Sequence, residues 1–137
     1  MSGLSGATAI VGVAETRLGK VPELGCMQMC VQAAHEAAAE AGIKMSDIDA
    51  VLTVDSMAEP FRMHSVVLSE YLGIRPRYSM TNSLGGATHC AMVSHAAAAL
   101  HAGLCDTVLI ATSDKLVTGL TKDQAIAALA ENAGHAQ

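Results

Sequence analysis

The chain has 137 residues, enough for one ordinary domain, of which 51% are apolar, and its formal net charge at pH 7 is −5. With 8 lysines and arginines and no tryptophan, it has no basic or aromatic patch of the kind that binds nucleic acid. No apolar run approaches the length of a membrane span, and the amino terminus lacks the basic start of a signal peptide. We therefore expect no nucleic-acid or membrane partner and a cytoplasmic location.

The four cysteines do not form a metal-binding pattern. Cys26 and Cys30 are four positions apart, and no neighbouring histidines complete a tetrahedral zinc set with Cys90 or Cys105. Small thiols of this kind are usually buried apolar side chains. The sequence therefore predicts four buried cysteines and no metal site.

Strand-like and helix-like segments alternate along the chain. Apolar runs too short for helices predict strands, and apolar stripes at helical spacing that end at glycines predict helices. The order indicates parallel strands joined by right-handed crossovers, buried on both sides by helices, and hence an α/β fold. The predicted strands are 7–14, 50–54, 77–80 and 107–111, and the predicted helices are 25–41, about 62–72, about 86–102 and 121–132.

A glycine turn follows the third predicted strand. Gly85 and Gly86 allow a sharp turn and a close approach of the backbone to a ligand, and the first N–H groups of the next helix point into the same space. Ligands bind at such strand-to-helix junctions in α/β proteins. The candidate substrate-binding residues are therefore Asn82, Gly85, Gly86, Ala87 and Thr88.

The same turn carries a family resemblance. Asn82-x-x-Gly85-Gly86-Ala87, with Ala91 four positions later and Ala102-Gly103 closing the helix, resembles the nucleophile turn of the thiolase superfamily. The resemblance is strongest to thiolase-like proteins of the sterol-carrier-protein-X or lipid-transfer type. It implies a βαβαβαβα half with the predicted strands in the order 3-2-1-4 and with the helix after Gly86 buried centrally. Gly85 occupies the position at which most thiolases have a reactive cysteine.

The resemblance covers roughly residues 7–115 and only the first of the two similar halves of a thiolase subunit. The fifth strand, the second half, the catalytic histidine and the second catalytic cysteine of the family have no counterpart here. We therefore expect residues 1–137 to be an incomplete N-terminal thiolase-like domain, either a fragment or one piece of a split assembly, with one apolar helix face uncovered.

The family also implies partners. These are the second thiolase half on the same or a separate chain, a second copy that pairs through residues 77–80 and the following turn, and a zinc-ribbon/OB-fold protein of the kind that assists some relatives. An exposed edge strand is in any case open to pairing.

The resemblance implies a coenzyme A thioester as substrate and no bound cofactor, and three interpretations of the chemistry remain open. Without a thiol at Gly85, the chain belongs to an enzyme that cleaves or forms carbon–carbon bonds without an acyl-enzyme, such as a retro-aldol enzyme acting on lipid or steroid side chains. Alternatively it is a non-catalytic thiolase-fold subunit or scaffold. In the third interpretation it is an acetyl-CoA acetyltransferase that uses Cys90, although five residues of helix displace Cys90 by about 7.5 Å. Adjacent helical residues do not face each other, so His89 is not expected to assist Cys90.

Overall fold

The computed structural model describes residues 3–116, 118, 120–132 and 134. Four α-helices and three β-strands lie in the described part of the chain. In chain order they are α1 Cys26–Ala41, β1 Ala50–Thr53, α2 His64–Leu72, β2 Tyr78–Thr81, α3 Thr88–His101, β3 Val108–Ile110 and α4 Lys122–Asn132. Two 3₁₀ turns, Met45–Asp47 and Gly85–Ala87, precede β1 and α3.

The three strands form one parallel sheet in the order β2-β1-β3. The central strand β1 is buried at all four residues, and its Leu52 lies opposite Met80 of β2 and Ile110 of β3. A strand that is buried on both faces must be apolar throughout, which explains the continuous apolar run from Ala50 to Leu52.

Helices cover both faces of the sheet, as predicted. Val51 points to one face and packs in a cluster with Cys30 and Ala34 of α1 and Leu68 of α2. Leu52 points to the other face and packs against Met92 and Ala96 of α3. Successive side chains of a strand alternate between faces, so β1 belongs to both cores. The α/β fold class predicted from the sequence is confirmed.

Residues 7–14, predicted as the first strand, are not a strand. Within the described part of the chain they pair with no strand by backbone hydrogen bonds, and Ile10 is 74% exposed. Their contacts are instead with α1, because the Val13 N–H donates to the Glu40 carboxylate and the backbone at Gly12 lies against the Ala37 carbonyl. A methyl group added at Gly12 would overlap that oxygen.

The predicted order 3-2-1-4 is therefore wrong. The second and fourth predicted strands pair directly as β1 and β3, and no first strand lies between them. An apolar run becomes a strand only where it can pair with the free backbone groups of a neighbouring strand. Residues 7–14 were expected to pair with β1 on the side that β3 occupies in the structure.

The third helix also differs from its prediction. It begins at Thr88 rather than near Gly86, because the preceding residues form a separate 3₁₀ turn. It is not buried centrally: of its residues only Thr88, Met92, Ala96 and Ala99 are buried, and Val93 on the other side is 45% exposed. The side of α3 that carries Val93 is therefore uncovered in the described part of the chain.

The other helix ends follow their sequence signals. Gly42 and Gly73 end α1 and α2 in the left-handed conformation, with φ of 70° and 67°. Thr121 caps α4, since its hydroxyl accepts a hydrogen bond from the Gln124 N–H at 3.3 Å. None of the helices that the structure describes has the length and apolar character needed to span a bilayer.

Candidate functional site

The carboxyl ends of the three parallel strands meet at one edge of the sheet. β1 ends at Thr53, β2 at Thr81 and β3 at Ile110, and the loop after each strand begins at that edge. Hydrogen bonds connect the first residues of these loops to the end of β1. The Asn82 N–H donates to the Thr53 carbonyl at 2.9 Å, and the Thr53 hydroxyl donates to the Ala111 carbonyl at 2.7 Å. This is the edge at which α/β proteins bind ligands.

The structure brings the predicted substrate-binding residues together in the turn after β2. Asn82 is half-buried at the end of the strand, whereas Gly85, Gly86 and Ala87 are exposed. Gly85 has a φ of +59°, and an added methyl group would contact nothing within 4 Å. The position therefore has room for a side chain but a left-handed backbone that L-residues adopt at a cost of about 1–2 kcal/mol.

Thr88 holds this turn from within. Its side chain is buried, and its hydroxyl accepts a hydrogen bond from the Leu84 N–H at 2.8 Å while donating to the Gly85 carbonyl at 2.7 Å. The single proton of that hydroxyl is therefore used inside the turn. The sequence predicted Thr88 as a substrate-binding residue, whereas in the structure its hydroxyl binds backbone groups of the turn itself.

The turn leaves backbone donors at the edge of the sheet. The first residues of a helical turn have N–H groups without acceptors in that turn, and here these residues are Gly85 and Gly86. Both residues are exposed, and no side-chain atom crowds them. Chemically, such a pair of donors can hold an anion or the polarised oxygen of a carbonyl group.

His89 and Cys90 lie in the first turn of α3 but do not form a pair. His89 Nε2 lies 3.0 Å from the hydroxyl of Thr112, in the segment after β3. Cys90 is exposed, which contradicts its predicted burial. The reason is its place on the uncovered side of α3, two positions before the buried Met92. The expectation that His89 does not assist Cys90 agrees with this arrangement.

The other three cysteines are buried, as predicted. Burial raises the pKa of Cys26 and of Cys105, and it raises the pKa of Cys30 to about 11. A thiol is nucleophilic only as its thiolate. These three side chains therefore serve packing, and they are protonated at neutral pH.

Asp114 is a residue that the prediction of the site missed. Its carboxylate accepts hydrogen bonds from the Ser56 hydroxyl at 3.2 Å and from the backbone N–H groups of Met57 at 2.8 Å and Ala58 at 3.2 Å. It thereby fastens the loop after β1 to the segment after β3. The sequence signal that could have identified Asp114 is its position, since it is an acidic residue four positions beyond the end of β3.

The loop after β1 in turn contacts the start of α1. Glu59 Oε2 accepts a hydrogen bond from the Cys26 N–H at 2.8 Å, and the amino group of Lys115 donates to the Leu24 carbonyl at 2.5 Å. A carboxylate at a helix N-terminus stabilises the helix dipole. These contacts, like those of Asp114, give the strand-end edge a fixed shape.

His64 lies buried beneath this edge, at the start of α2. Its ring packs edge-on against Phe61 with the ring centroids 5.9 Å apart, and its Nδ1 has no hydrogen-bond partner. Burial lowers the pKa of His64, while the carboxylates of Asp55 and Asp114 oppose that shift. The neutral imidazole is therefore the form that this site favours.

A cleft of about 420 Å³ opens beside the same edge, between residues 14–19 and residues 112–116. Arg17, which lines it, is paired with Glu23 at 2.6 Å. Among the residues that the structure describes, no three histidine, cysteine or acidic side chains are grouped so that they could hold a metal ion.

Comparison with known proteins places these features in a family context. No family model matches the chain. The chain is 31% identical over 132 residues to the 17-hydroxy-3-oxo-4-pregnene-20-carboxyl-CoA lyase of Mycobacterium tuberculosis, an alignment that covers 95% of this chain and 33% of the lyase. The chain thus spans about a third of the length of this curated relative.

Solved structures with the same fold include two informative cases. The Ltp2–ChsH2(DUF35) aldolase superposes with a TM-score of 0.72 at 24% identity, over 94% of this chain and 34% of that one. The monomeric SCP2-thiolase like protein type 1 of Mycobacterium smegmatis superposes with a TM-score of 0.59 at 21% identity, over 74% and 22% of the two chains. The chain therefore has the thiolase fold, which it shares with these thiolase-like proteins.

Proposed function

We propose that this chain is the acyl-CoA-binding part of a thiolase-like enzyme that cleaves carbon–carbon bonds in CoA thioesters by a retro-aldol reaction. The observation that carries the proposal is Gly85. The turn keeps its place at the strand-end edge and its backbone donors, but it has no side chain that could hold an acyl group.

The proposed chemistry needs negative charge to be stabilised at the thioester oxygen. In a retro-aldol cleavage of a β-hydroxyacyl thioester, a base removes the β-hydroxyl proton, the β carbon becomes a carbonyl, and the electron pair of the broken α–β bond passes into a thioester enolate. An acid then protonates the α carbon of that enolate. The N–H groups of Gly85 and Gly86 would hold that oxygen, as fixed dipoles do in oxyanion holes. No covalent bond to the protein forms, so no cysteine is required at Gly85.

Two findings support this choice over thiolysis. The curated relative is by name a CoA lyase, and the superposed Ltp2–ChsH2(DUF35) protein is by name an aldolase. The acid and base groups of the reaction are proposed to come from a second thiolase-like half. A homodimer through β2, which is an edge strand of the sheet, and a zinc-ribbon/OB-fold partner remain part of the same proposal.

The variant Gly85→Cys tests whether the turn has kept the geometry of a nucleophile turn. In a Cys90→Ser background, the introduced thiol should have a lowered pKa beside the free N–H groups and should react with iodoacetamide about tenfold faster than the thiol of a matched Ser83→Cys variant. Ser83 is exposed in the same turn but precedes the helical residues.

Three results are informative. Fast alkylation at position 85, with slow alkylation of Cys90 in the parent, supports a thiolase-like turn whose nucleophile has been replaced. Faster reaction of Cys90 than of either introduced thiol contradicts the proposal and favours the acetyltransferase interpretation. Equal, slow reaction at positions 83 and 85 contradicts it in favour of the scaffold.

A further inference from the structure

The imidazole ring of His89 lies close along the chain to the Gly85 turn. His89 is in the first turn of α3, four positions after Gly85 and three after Gly86. Residues at these spacings are neighbours along a helix, and a helical side chain covers the turn that precedes its own Cα. The ring of His89 therefore lies towards the backbone donors that we assign to the thioester oxygen.

A hydrogen bond to the loop after β3 holds this ring in place. His89 Nε2 lies 3.0 Å from the hydroxyl of Thr112, which is half-buried. The residue before it, Ala111, is fixed to the sheet, because its N–H donates to the Leu52 carbonyl of β1 at 3.2 Å. The ring is thus connected to the strand-end edge on one side while α3 carries it on the other.

The second nitrogen of the ring is available to a ligand. His89 is exposed, and the structure gives its Nδ1 no hydrogen-bond partner among the described residues. In a neutral imidazole one nitrogen donates and the other accepts, whereas a hydroxyl group can do either. The Thr112 hydroxyl therefore fits Nε2 in both tautomers, and a hydroxyl group of a ligand would fit Nδ1 in both.

We propose that His89 selects substrates with a β-hydroxyl group, which binds to its Nδ1 while the N–H groups of Gly85 and Gly86 hold the thioester oxygen. This inference rests on the proposed retro-aldol function, whose substrate carries these two oxygen atoms on either side of its α carbon. Two fixed contacts orient the α–β bond that breaks, and such orientation lowers the barrier to reaction. His89 itself transfers no proton, so the proposed base of the second half still removes the hydroxyl proton.

Two ligands that differ only in this hydroxyl group test the proposal. The ¹⁵N-labelled chain would be titrated with 3-hydroxypropionyl-CoA and, in parallel, with propionyl-CoA. Both ligands should shift the amide signals of Gly85 and Gly86, and the hydroxyl ligand should bind about fivefold more tightly, the usual effect of one hydrogen bond. The ¹⁵Nδ1 signal of His89 should shift more with 3-hydroxypropionyl-CoA than with propionyl-CoA.

The variant His89→Leu removes the ring nitrogens and should bind the two ligands equally, while both still shift the Gly85 and Gly86 signals. The matched control is His101→Leu, since His101 is equally exposed but lies at the opposite end of α3. This control should keep the fivefold preference. If His89→Leu does not fold, the ¹⁵Nδ1 signal of His89 in the parent decides alone.

Three results overturn this inference and leave the proposed function standing, provided that the Gly85 and Gly86 signals shift. They are equal binding of the two ligands by the parent, a preference that persists in His89→Leu, and a ¹⁵Nδ1 signal that responds equally to both ligands. A titration in which neither ligand shifts the Gly85 and Gly86 signals overturns the proposed function and this inference together.

Discussion

Gly85 combines two properties that a cysteine at the same position would not share. Its φ of +59° lies in the left-handed region, and it exposes the backbone of the turn without covering it. The Gly85-Gly86 pair made this turn predictable from the sequence. The same pattern predicted that Asn82 and Ala87 lie beside the two glycines. The internal role of Thr88 was not predictable, because one hydroxyl can serve a ligand or its own backbone and only the folded turn decides between them.

His64 shows what a single buried side chain contributes to the pH dependence of the whole protein. Its pKa in the folded state lies below the ordinary value of 6.5 because burial disfavours the imidazolium ion. As the pH falls, His64 is therefore protonated at a higher pH in the unfolded chain than in the folded protein. We predict that the free energy of unfolding decreases between about pH 7 and pH 5.

The variant His64→Phe separates this contribution from others. It keeps an aromatic ring beside Phe61 and removes the unpaired Nδ1, so stability at pH 7 should be unchanged or higher and the decrease towards pH 5 should become smaller. Urea unfolding at both pH values measures this, with the exposed His101→Gln as control. A decrease of the same size in His64→Phe as in the parent would contradict the assignment.

At the scale of the elements, the sequence predicted the helices better than the first strand. Helix ends depend on local signals, and Gly42, Gly73 and Thr121 act where they were expected to. A strand depends on a distant partner. Residues 7–14 have the composition of a strand, but the order of strands in the sheet leaves them facing β3 across a groove rather than paired with it.

The amino ends of the three strands are joined by one ionic cluster. The Asp49 carboxylate, before β1, accepts hydrogen bonds from Arg77, before β2, at 2.5 Å and from the N–H groups of Asp106 and Thr107, before β3, at 3.0 and 2.9 Å. Burial opposes the ionisation of Asp49, but the hydrogen bonds from Thr107, Arg77 and Asp106 outweigh it and hold its pKa below the ordinary value of 3.8.

We predict that Asp49→Asn lowers the free energy of unfolding by about 2 kcal/mol at pH 7, because the amide cannot satisfy all these donors. The stabilising effect of the carboxylate is present above about pH 4 and is lost as the pH falls through the lowered pKa, so parent and variant should converge in acid. Asp106→Asn is the matched control: its side chain is 87% exposed and its pair with Arg77 is a surface ion pair, which contributes less than about 1 kcal/mol. Equal losses in the two variants, measured by urea unfolding, would show that Asp49 does not join the strands.

At the scale of the molecule, the amino ends and the carboxyl ends of the three strands differ in structure. The amino edge is closed by charged side chains that satisfy one another, whereas the carboxyl edge carries the Gly85 turn, with Asp114 and Glu59 fixing the loops around it. The rest of the surface includes the apolar groove beside β3, which the uncovered side of α3 lines with Val93 and Ala97. The chain, which spans a third of its curated relative, thus combines a turn of fixed shape at the carboxyl ends of its strands with apolar surface that is left exposed.

The most direct test of the account is where a CoA thioester binds and whether its carbonyl oxygen matters. The ¹⁵N amide signals of the protein would be followed during titration with propionyl-CoA and, in parallel, with S-propyl-CoA, a thioether that lacks only that oxygen. We predict that the thioester shifts the Gly85 and Gly86 amide signals, binds more tightly than the thioether by about tenfold, and leaves no acyl group on the protein by mass spectrometry. Equal binding of the two ligands with no shift at Gly85 and Gly86, or an acyl group found on Cys90, would contradict it.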